Sequence, residues 1–487
     1  MKSKTLRQLL LYNYRYIFAY AFIFFFVGFF LLWRIGTVGP GLSQAELDVA
    51  AVHTNAREAL ATPIYPLFAK LQVFSLKIFG VSTYSIRIPS VLIGATTILL
   101  LYQILKKWFG KPTALIGVAF VATADWFLFV ARQATGAIEF SFWIVVALYS
   151  ITKLLERRSM WAIGLAASFV ALMFVPFGPY AVAILMISVT SSRVLRERLL
   201  AISTLDKTLT VLIVLAGIGF IAYTAMSNNL MIAKLLGVEA GIPTPIEYAK
   251  NVITNGAAIV GTVPATNPAN GVSGLFFVRF FELSFIIFGL FMFWKTRINK
   301  LNLVIVILAA ALFFIGGLNR TADAAALLIV PGIIFITAGM RYFIHRWQKT
   351  FPKNPYARMI AFIPVVILLV LTTLQHQQTY FVLWPRQTAT ASAYTYDLQL
   401  LEGELATTSK SCTIVTRDQT IRTLVLADEH SCDPKFTDTI TAIKKDEIQI
   451  LGPEFTVNLK PTDNVLVRGL VSSKTDDSTR WVVRERS

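Results

Sequence analysis

Eleven long apolar runs recur along the chain, and most reach the roughly 20 residues that a helix needs to cross about 30 Å of hydrocarbon. They lie near 17–35, 85–105, 112–130, 138–155, 161–175, 179–190, 209–226, 274–294, 301–317, 322–340 and 360–374. Backbone amides in lipid must be paired within one segment or around a closed barrel. The runs show no period-two alternation, so helices are expected rather than a barrel. Composition agrees, because 55% hydrophobic residues, 15% charged residues and a mean hydropathy of +0.63 set the chain apart from an average soluble domain. The first run is too long for a signal core and no small-residue cleavage site follows it, so it is expected to remain as an anchor.

The net charge of +18 is unevenly spread. Lys2, Lys4, Arg7 and Arg15 precede the first run, and alternate connections carry Lys106, Lys107 and Lys111, then Lys153, Arg157 and Arg158, then Arg193, Arg196 and Arg198. By the positive-inside rule these clusters and the N-terminus face the cytoplasm. The connections 36–84 and 227–273, and everything after about residue 375, then face outward. From His376 onward there are about 13 basic and 15 acidic residues, so the excess belongs to the short loops and not to a nucleic-acid footprint. The reading is a multi-pass protein of a plasma membrane, bacterial in type, with a membrane domain over 1–375 and an extracytoplasmic domain over 376–487.

The stretch 44–60 has the pattern of a helix lying on the membrane surface, with Ala45, Val49, Val52, Ala56, Ala59 and Leu60 on one stripe. Glu46, His53 and Arg57 run along one edge of that stripe. The tail changes character, with strand-like runs at 412–416, 423–427, 464–467 and 481–483, which predict a small α/β domain. The fold class is therefore mainly α, polytopic, with amphipathic loop helices and a C-terminal α/β domain. The two cysteines of the chain, Cys412 and Cys432, both fall in that domain, where an oxidising compartment favours a disulfide over two buried thiols.

No phosphate-cradling glycine loop, nucleophile elbow or His-Glu-x-x-His motif is present, which argues against chemistry on cytosolic nucleotides. Ionisable residues at helix ends remain, where a polar group is costly unless it has a partner or a task. Ser43-Gln44-Ala45-Glu46-Leu47-Asp48 reads as a capping box, Ser43 with Glu46, or as the place of a general base, Glu46 or Asp48. Asp125, Arg132 and Glu139 straddle the turn Gln133-Ala134-Thr135-Gly136, as an ion pair between helices or as a site. Arg279 and Glu282, three apart, are expected to pair with each other. Arg320, beside Asp323, either snorkels to headgroups or holds a lipid phosphate.

The order of short motifs resembles a known family. Thr62-Pro63-Ile64-Tyr65-Pro66-Leu67, Ile78-Phe79-Gly80-Val81-Ser82, Arg87-Ile88-Pro89-Ser90, Ala131-Arg132-Gln133-Ala134 and Ile329-Val330-Pro331 follow the acidic loop in sequence. This is similar to the GT-C superfamily of polytopic glycosyltransferases, in its protein mannosyltransferase and aminoarabinose transferase branch (family 39-like). The resemblance implies an inverting transfer, on the outer face, from a polyprenyl-phosphate-linked sugar to a hydroxyl of a protein, lipid or glycan. It implies a loop carboxylate as base, and cationic groups or a divalent metal, Mg or Mn, at the departing phosphate. Glu46 and Asp48 are then the catalytic candidates, with His53, Arg57, Tyr65, Arg132, Glu139 and Arg320 at the substrate and Glu46 with Glu139 toward a metal. The branch usually has Asp-Glu where this chain has Ala45-Glu46. A transporter or flippase, or a non-catalytic scaffold, is the alternative; paired halves with broken helices would mark the transporter.

Overall fold

The computed structural model describes residues 15–36, 41–55, 64–259 apart from 228 and 240, 278–296, 300–318, 324–351 and 362–387. Toward the C-terminus it describes 410–426, 434–440, 447–452, 465–470 and 481–486, with isolated positions between. In chain order the membrane part runs α1 (Arg15–Leu32), α2 (Gln44–Thr54), α3 (Pro66–Phe79), α4 (Thr83–Phe109), α5 (Lys111–Thr123), α6 (Asp125–Arg132), α7 (Ile138–Leu155), α8 (Trp161–Leu172) and α9 (Gly178–Ser191). It continues with α10 (Arg193–Leu200), α11 (Thr204–Ser227), α12 (Asn229–Leu235), α13 (Pro245–Ile259), α14 (Phe280–Lys295), α15 (Lys300–Ile315), α16 (Ala324–Thr350) and α17 (Phe362–Gln378).

A helix lies on every one of the apolar runs, but the runs are not eleven straight spans. Among the described residues five helices are long and apolar enough to cross a bilayer, Thr83–Phe109, Ile138–Leu155, Thr204–Thr224, Ala326–Thr350 and Ile363–Arg386. The number is seven if two bent pairs each count as one span. The run expected at 112–130 is one of these pairs: α5 and α6 meet at 63°. Ala124 is extended there, with ψ 127°, and the Asp125 carboxylate accepts the Trp126 N–H at 2.7 Å, so a new helix starts within the apolar run. The other is α9 with α10, bent by 87° at Ser192, whose hydroxyl caps α10.

One apolar core joins these helices apart from α11, which is mostly exposed. Its tightest seam is α14 against α16, where a Cβ on Gly289 would stand 2.0 Å from the Phe335 carbonyl oxygen and one on Gly339 2.0 Å from that of Phe285. Small residues at a helix crossing let the backbones approach, which is how membrane helices gain van der Waals contact without a hydrophobic driving force.

The C-terminal part is a five-stranded sheet of order β2-β1-β3-β5-β4, from β1 (Ser411–Val415), β2 (Lys435–Thr437), β3 (Glu447–Leu451), β4 (Val465–Leu470) and β5 (Trp481–Arg486). β1 is parallel to β2 and β3, while β5 is antiparallel to β3 and β4. The strand expected at 423–427 is instead part of α18 (Gln419–Leu426). Ile421, Leu424 and Val425 have helical spacing and are the buried residues of this helix, and the Asp418 carboxylate caps it by accepting the Thr420 N–H at 2.8 Å. Cys412 and Cys432 are joined by a disulfide.

Candidate active site

The capping box read from Ser43 and Glu46 is present, with the Glu46 N–H donating to Ser43 Oγ and the Ser43 N–H to Glu46 Oε2 at 3.1 Å. It is the smaller part of what Glu46 does. From α4, Arg87 donates Nε to Oε1 and Nη2 to Oε2, both at 2.9 Å, and the Ala134 N–H reaches Oε1 at 2.9 Å. The other Arg87 donors go to the carbonyls of Ile35 at 3.1 Å and Gly41 at 2.9 Å. Glu46 is wholly buried. Burial raises its pKa, but the Arg87 charge and the hydrogen bonds from Arg87, Ala134 and Ser43 outweigh it and hold the carboxyl below the usual carboxylate range.

This pairing turns α2 over relative to the expected wheel. Its buried residues are Glu46, Leu47, Ala50 and His53, while Ala45 is exposed. The reason is energetic: satisfying a buried guanidinium outweighs burying one alanine methyl. His53 is buried against Gln72 of α3, with Nδ1 facing the amide oxygen, and Gln72 in turn donates to the Ile86 carbonyl at 2.9 Å. Burial lowers the His53 pKa, the Gln72 hydrogen bond opposing it, so the ring is held neutral. Asp48 is exposed, and its Oδ1 accepts from Gln44 Nε2 at 2.8 Å and from Thr420 Oγ1 at 3.3 Å. Arg57 and Arg320 lie outside the described residues, as does Asp323.

Glu139, at the start of α7, caps a helix other than its own. Its Oε1 accepts the Leu67 N–H at 2.9 Å and the Trp143 Nε1–H at 3.0 Å, and its Oε2 accepts the Phe68 N–H at 3.2 Å. The sequence makes this necessary, because α3 opens with Pro66 after Tyr65, at φ 54°, and has no side-chain cap of its own. The Tyr65 ring packs under the turn at Gly136, and burial, with the Glu139 charge beside it, pushes its phenol above the usual tyrosine value. Glu46 and Glu139 therefore spend their oxygens on N–H donors. Among the described residues no group of three or more His, Cys, Asp or Glu could hold a metal ion.

Arg132 closes α6 and is 2% exposed. Nη1 donates to the Phe30 carbonyl at 3.1 Å and Nη2 to that of Trp33 at 2.6 Å. The guanidinium sits 5.1 Å from the Tyr380 ring centroid and 5.0 Å from that of Phe381. Its buried Nε has no hydrogen-bond partner, and no carboxylate among the described residues pairs with it. The sequence did not single out the aromatic residues around it. Tyr380 stacks on Trp384 at 5.3 Å, Trp384 meets Tyr394 edge to face, and Tyr394 Oη accepts from Gln133 Nε2 at 3.0 Å. A π-helical turn over Thr379–Leu383 turns Tyr380 and Phe381 toward Arg132; the only signal for it in sequence is the aromatic run after the last span, which a membrane-interface belt would also give.

Asp125 does not pair with Arg132. Its Oδ2 accepts Arg279 Nη2 at 2.8 Å, and its Oδ1 lies 2.9 Å from His376 Nδ1. His376 Nε2 is 2.9 Å from Glu282 Oε1, which also accepts the Trp126 indole N–H at 3.2 Å. Arg279 and Glu282 thus meet through the Arg279 backbone N–H, as a cap, and their side chains face other partners. Trp126 also lines an almost wholly apolar cavity of about 380 Å³ between α14, α15 and α16, with Leu283, Leu290, Val306, Phe313 and Phe335 among its walls.

The family model of the dolichyl-phosphate-mannose-protein mannosyltransferases matches residues 62–222, which contain Arg87, Arg132 and Glu139. No curated protein sequence matches the chain. Among solved structures, ArnT from Cupriavidus metallidurans in the apo state is 13% identical with a TM-score of 0.55, covering 96% of this chain and 97% of that one. The same protein bound to undecaprenyl phosphate is 14% identical with a TM-score of 0.52, at the same coverage of 96% and 97%. The apo oligosaccharyltransferase of Archaeoglobus fulgidus is 14% identical with a TM-score of 0.50, over 88% of this chain and 65% of that one. At such identities the structures speak for the fold alone. Together with the family match they uphold the resemblance to GT-C glycosyltransferases of the protein mannosyltransferase and ArnT type.

Proposed function

We propose that the chain is a membrane glycosyltransferase that moves a sugar from a polyprenyl-phosphate carrier to an acceptor hydroxyl at the outer face of the membrane. The observation that carries this reading is Arg132. A guanidinium buried with no carboxylate partner among the described residues, resting on two carbonyls and two aromatic faces with Nε unspent, suits an anion that arrives from outside the chain. A lipid phosphate is such an anion, and the apolar cavity behind Trp126 offers hydrocarbon surroundings to a lipid carrier. The matched family and the bound lipid of the ArnT structure support the same class.

In this reading the acceptor oxygen attacks the anomeric carbon as the bond to the phosphate oxygen breaks, in one displacement that inverts the centre. The acceptor proton passes to a carboxylate, and Arg132 takes the charge that develops on the leaving polyprenyl phosphate. Asp48 suits the role of base better than Glu46. The Glu46 oxygens are filled by Arg87, Ala134 and Ser43, whereas Asp48 Oδ2 accepts no hydrogen bond among the described residues. Ala45 and Asp48, three apart, share the exposed face of α2, so Asp48 stands one turn from where the family's aspartate would point. Glu46 and Glu139 then brace the loop, with His53 and Tyr65, and a divalent metal would have to find its ligands elsewhere.

The test is sugar transfer by the purified chain in liposomes, from a radiolabelled polyprenyl-phosphate sugar. Wild type should cleave the sugar–phosphate bond, and Arg132→Gln should lose on the order of 10²-fold in turnover while melting normally. Movement of intact carrier lipid without cleavage would make the chain a flippase, and an active Arg132→Gln would remove the phosphate assignment.

A further inference from the structure

Asp48 is not held by the membrane part alone. α18 of the C-terminal sheet lies along the exposed face of α2, and the two helices share a short polar ladder. Gln44 Nε2 donates to Asp48 Oδ1 at 2.8 Å and stands 3.5 Å from Asp418 Oδ2, and Thr420 Oγ1 donates to the same Asp48 Oδ1 at 3.3 Å. Thr420 is itself fixed. Its N–H is capped by Asp418, whose own N–H is bonded to Thr416 Oγ1 at 3.1 Å, and Arg422 ties α18 to the Thr416 carbonyl at 2.6 Å. Ile421 and Val425 anchor the helix in the core of the sheet, and Leu424, one turn after Thr420, packs into the core of the membrane part.

An exposed aspartate ordinarily samples several rotamers, and each must be given up before it can take a proton along a defined line. Here two donors, one from each part of the protein, converge on Oδ1 and leave Oδ2 open. We propose that Thr420 is a positioning residue for Asp48, so that the C-terminal sheet completes the active site. The proposal rests on the transferase reading above and on Asp48 as its base. It gives the C-terminal part a task in the reaction, since the α18 hydroxyl and the Gln44 amide together aim the one carboxylate among the described residues of the loop that is not consumed by structure.

The experiment compares wild type, Thr420→Val and Thr420→Ser in the full chain, with kcat and KM for a radiolabelled polyprenyl-phosphate sugar measured separately. Val keeps the shape and removes the donor, so kcat should fall on the order of 10- to 100-fold with KM for the lipid-linked sugar within about twofold. Ser restores the hydroxyl and should recover kcat to within about threefold. Thermal melting, and the absence of free thiols at Cys412 and Cys432, should be the same in all three. An active wild type with an unaffected Thr420→Val overturns the proposal while leaving the transferase reading standing, as does a Ser variant as defective as Val. A wild type that transfers no sugar removes both.

Discussion

Replacing Glu46 by Gln separates a clasp from a base. Five donors converge on this carboxylate: Arg87 Nε and Nη2, the N–H groups of Ala134 and Ser43, and the Ser43 hydroxyl. A glutamine has one acceptor oxygen. Whichever way its amide turns, an NH₂ faces at least one N–H donor, and the Arg87 guanidinium, 4% exposed, loses its counter-charge. Breaking a buried pair from one side costs about 3 to 5 kcal/mol, so Glu46→Gln should melt clearly below wild type in detergent, followed by tryptophan fluorescence. Below that melting point it should retain transfer within a few-fold. Adding Arg87→Met removes the stranded charge, and the double variant should recover part of the lost stability. A Glu46→Gln chain that melts like wild type but loses 10² to 10⁴ in turnover would refute this reasoning and make Glu46 the base.

Two further perturbations probe the frame of the site. Gly136 has φ +76°, and a Cβ there would stand 2.7 Å from Tyr65 Cγ, so Gly136→Ala should destabilise by about 2 to 4 kcal/mol through left-handed strain and overpacking, read as a lower melting point. His53 should give a stability slope in mild acid. Its folded pKa lies below 6.5, so the unfolded chain takes up the proton first; stability is full above 6.5 and declines as pH falls toward and through the folded value. His53→Gln should flatten that slope in pH-dependent melting, and an unchanged slope would place its origin elsewhere. Glu46 acts in a lower window, its contribution present above the unfolded carboxyl value and lost as pH falls through the depressed folded one.

What could be read in advance was whatever lies within a few residues of itself. The helices on the apolar runs follow from hydrocarbon-length hydrophobicity, and the Ser43–Glu46 box follows from a spacing of three. The helix at 419–426 is not legible locally because Thr423 and Val425 are β-branched and favour strands, whereas burial of Ile421, Leu424 and Val425 decides it. The break at Ala124 was missed because no Pro or Gly marks it; its cause is an aspartate whose partner Arg279 is 154 residues away.

The same limit explains why the arginines could not be ranked. Three are buried among the described residues, Arg87, Arg132 and Arg279; in sequence Arg132 and Arg279 each lie near a carboxylate that is a plausible partner, while Arg87 has none close by. Folding gives Arg87 to Glu46 and Arg279 to Asp125, across 41 and 154 residues, and leaves Arg132 with carbonyls and rings. Burying a guanidinium costs several kcal/mol per ion, and the first two recover it inside the chain. The third recovers part through hydrogen bonds to the Phe30 and Trp33 carbonyls and through cation–π contacts, each worth about 0.5 to 2 kcal/mol, and has no carboxylate partner among the described residues, which is why it is the one proposed to take an external anion. Pairing belongs to the fold, and here pairing is what distinguishes two structural arginines from the one proposed to meet the substrate.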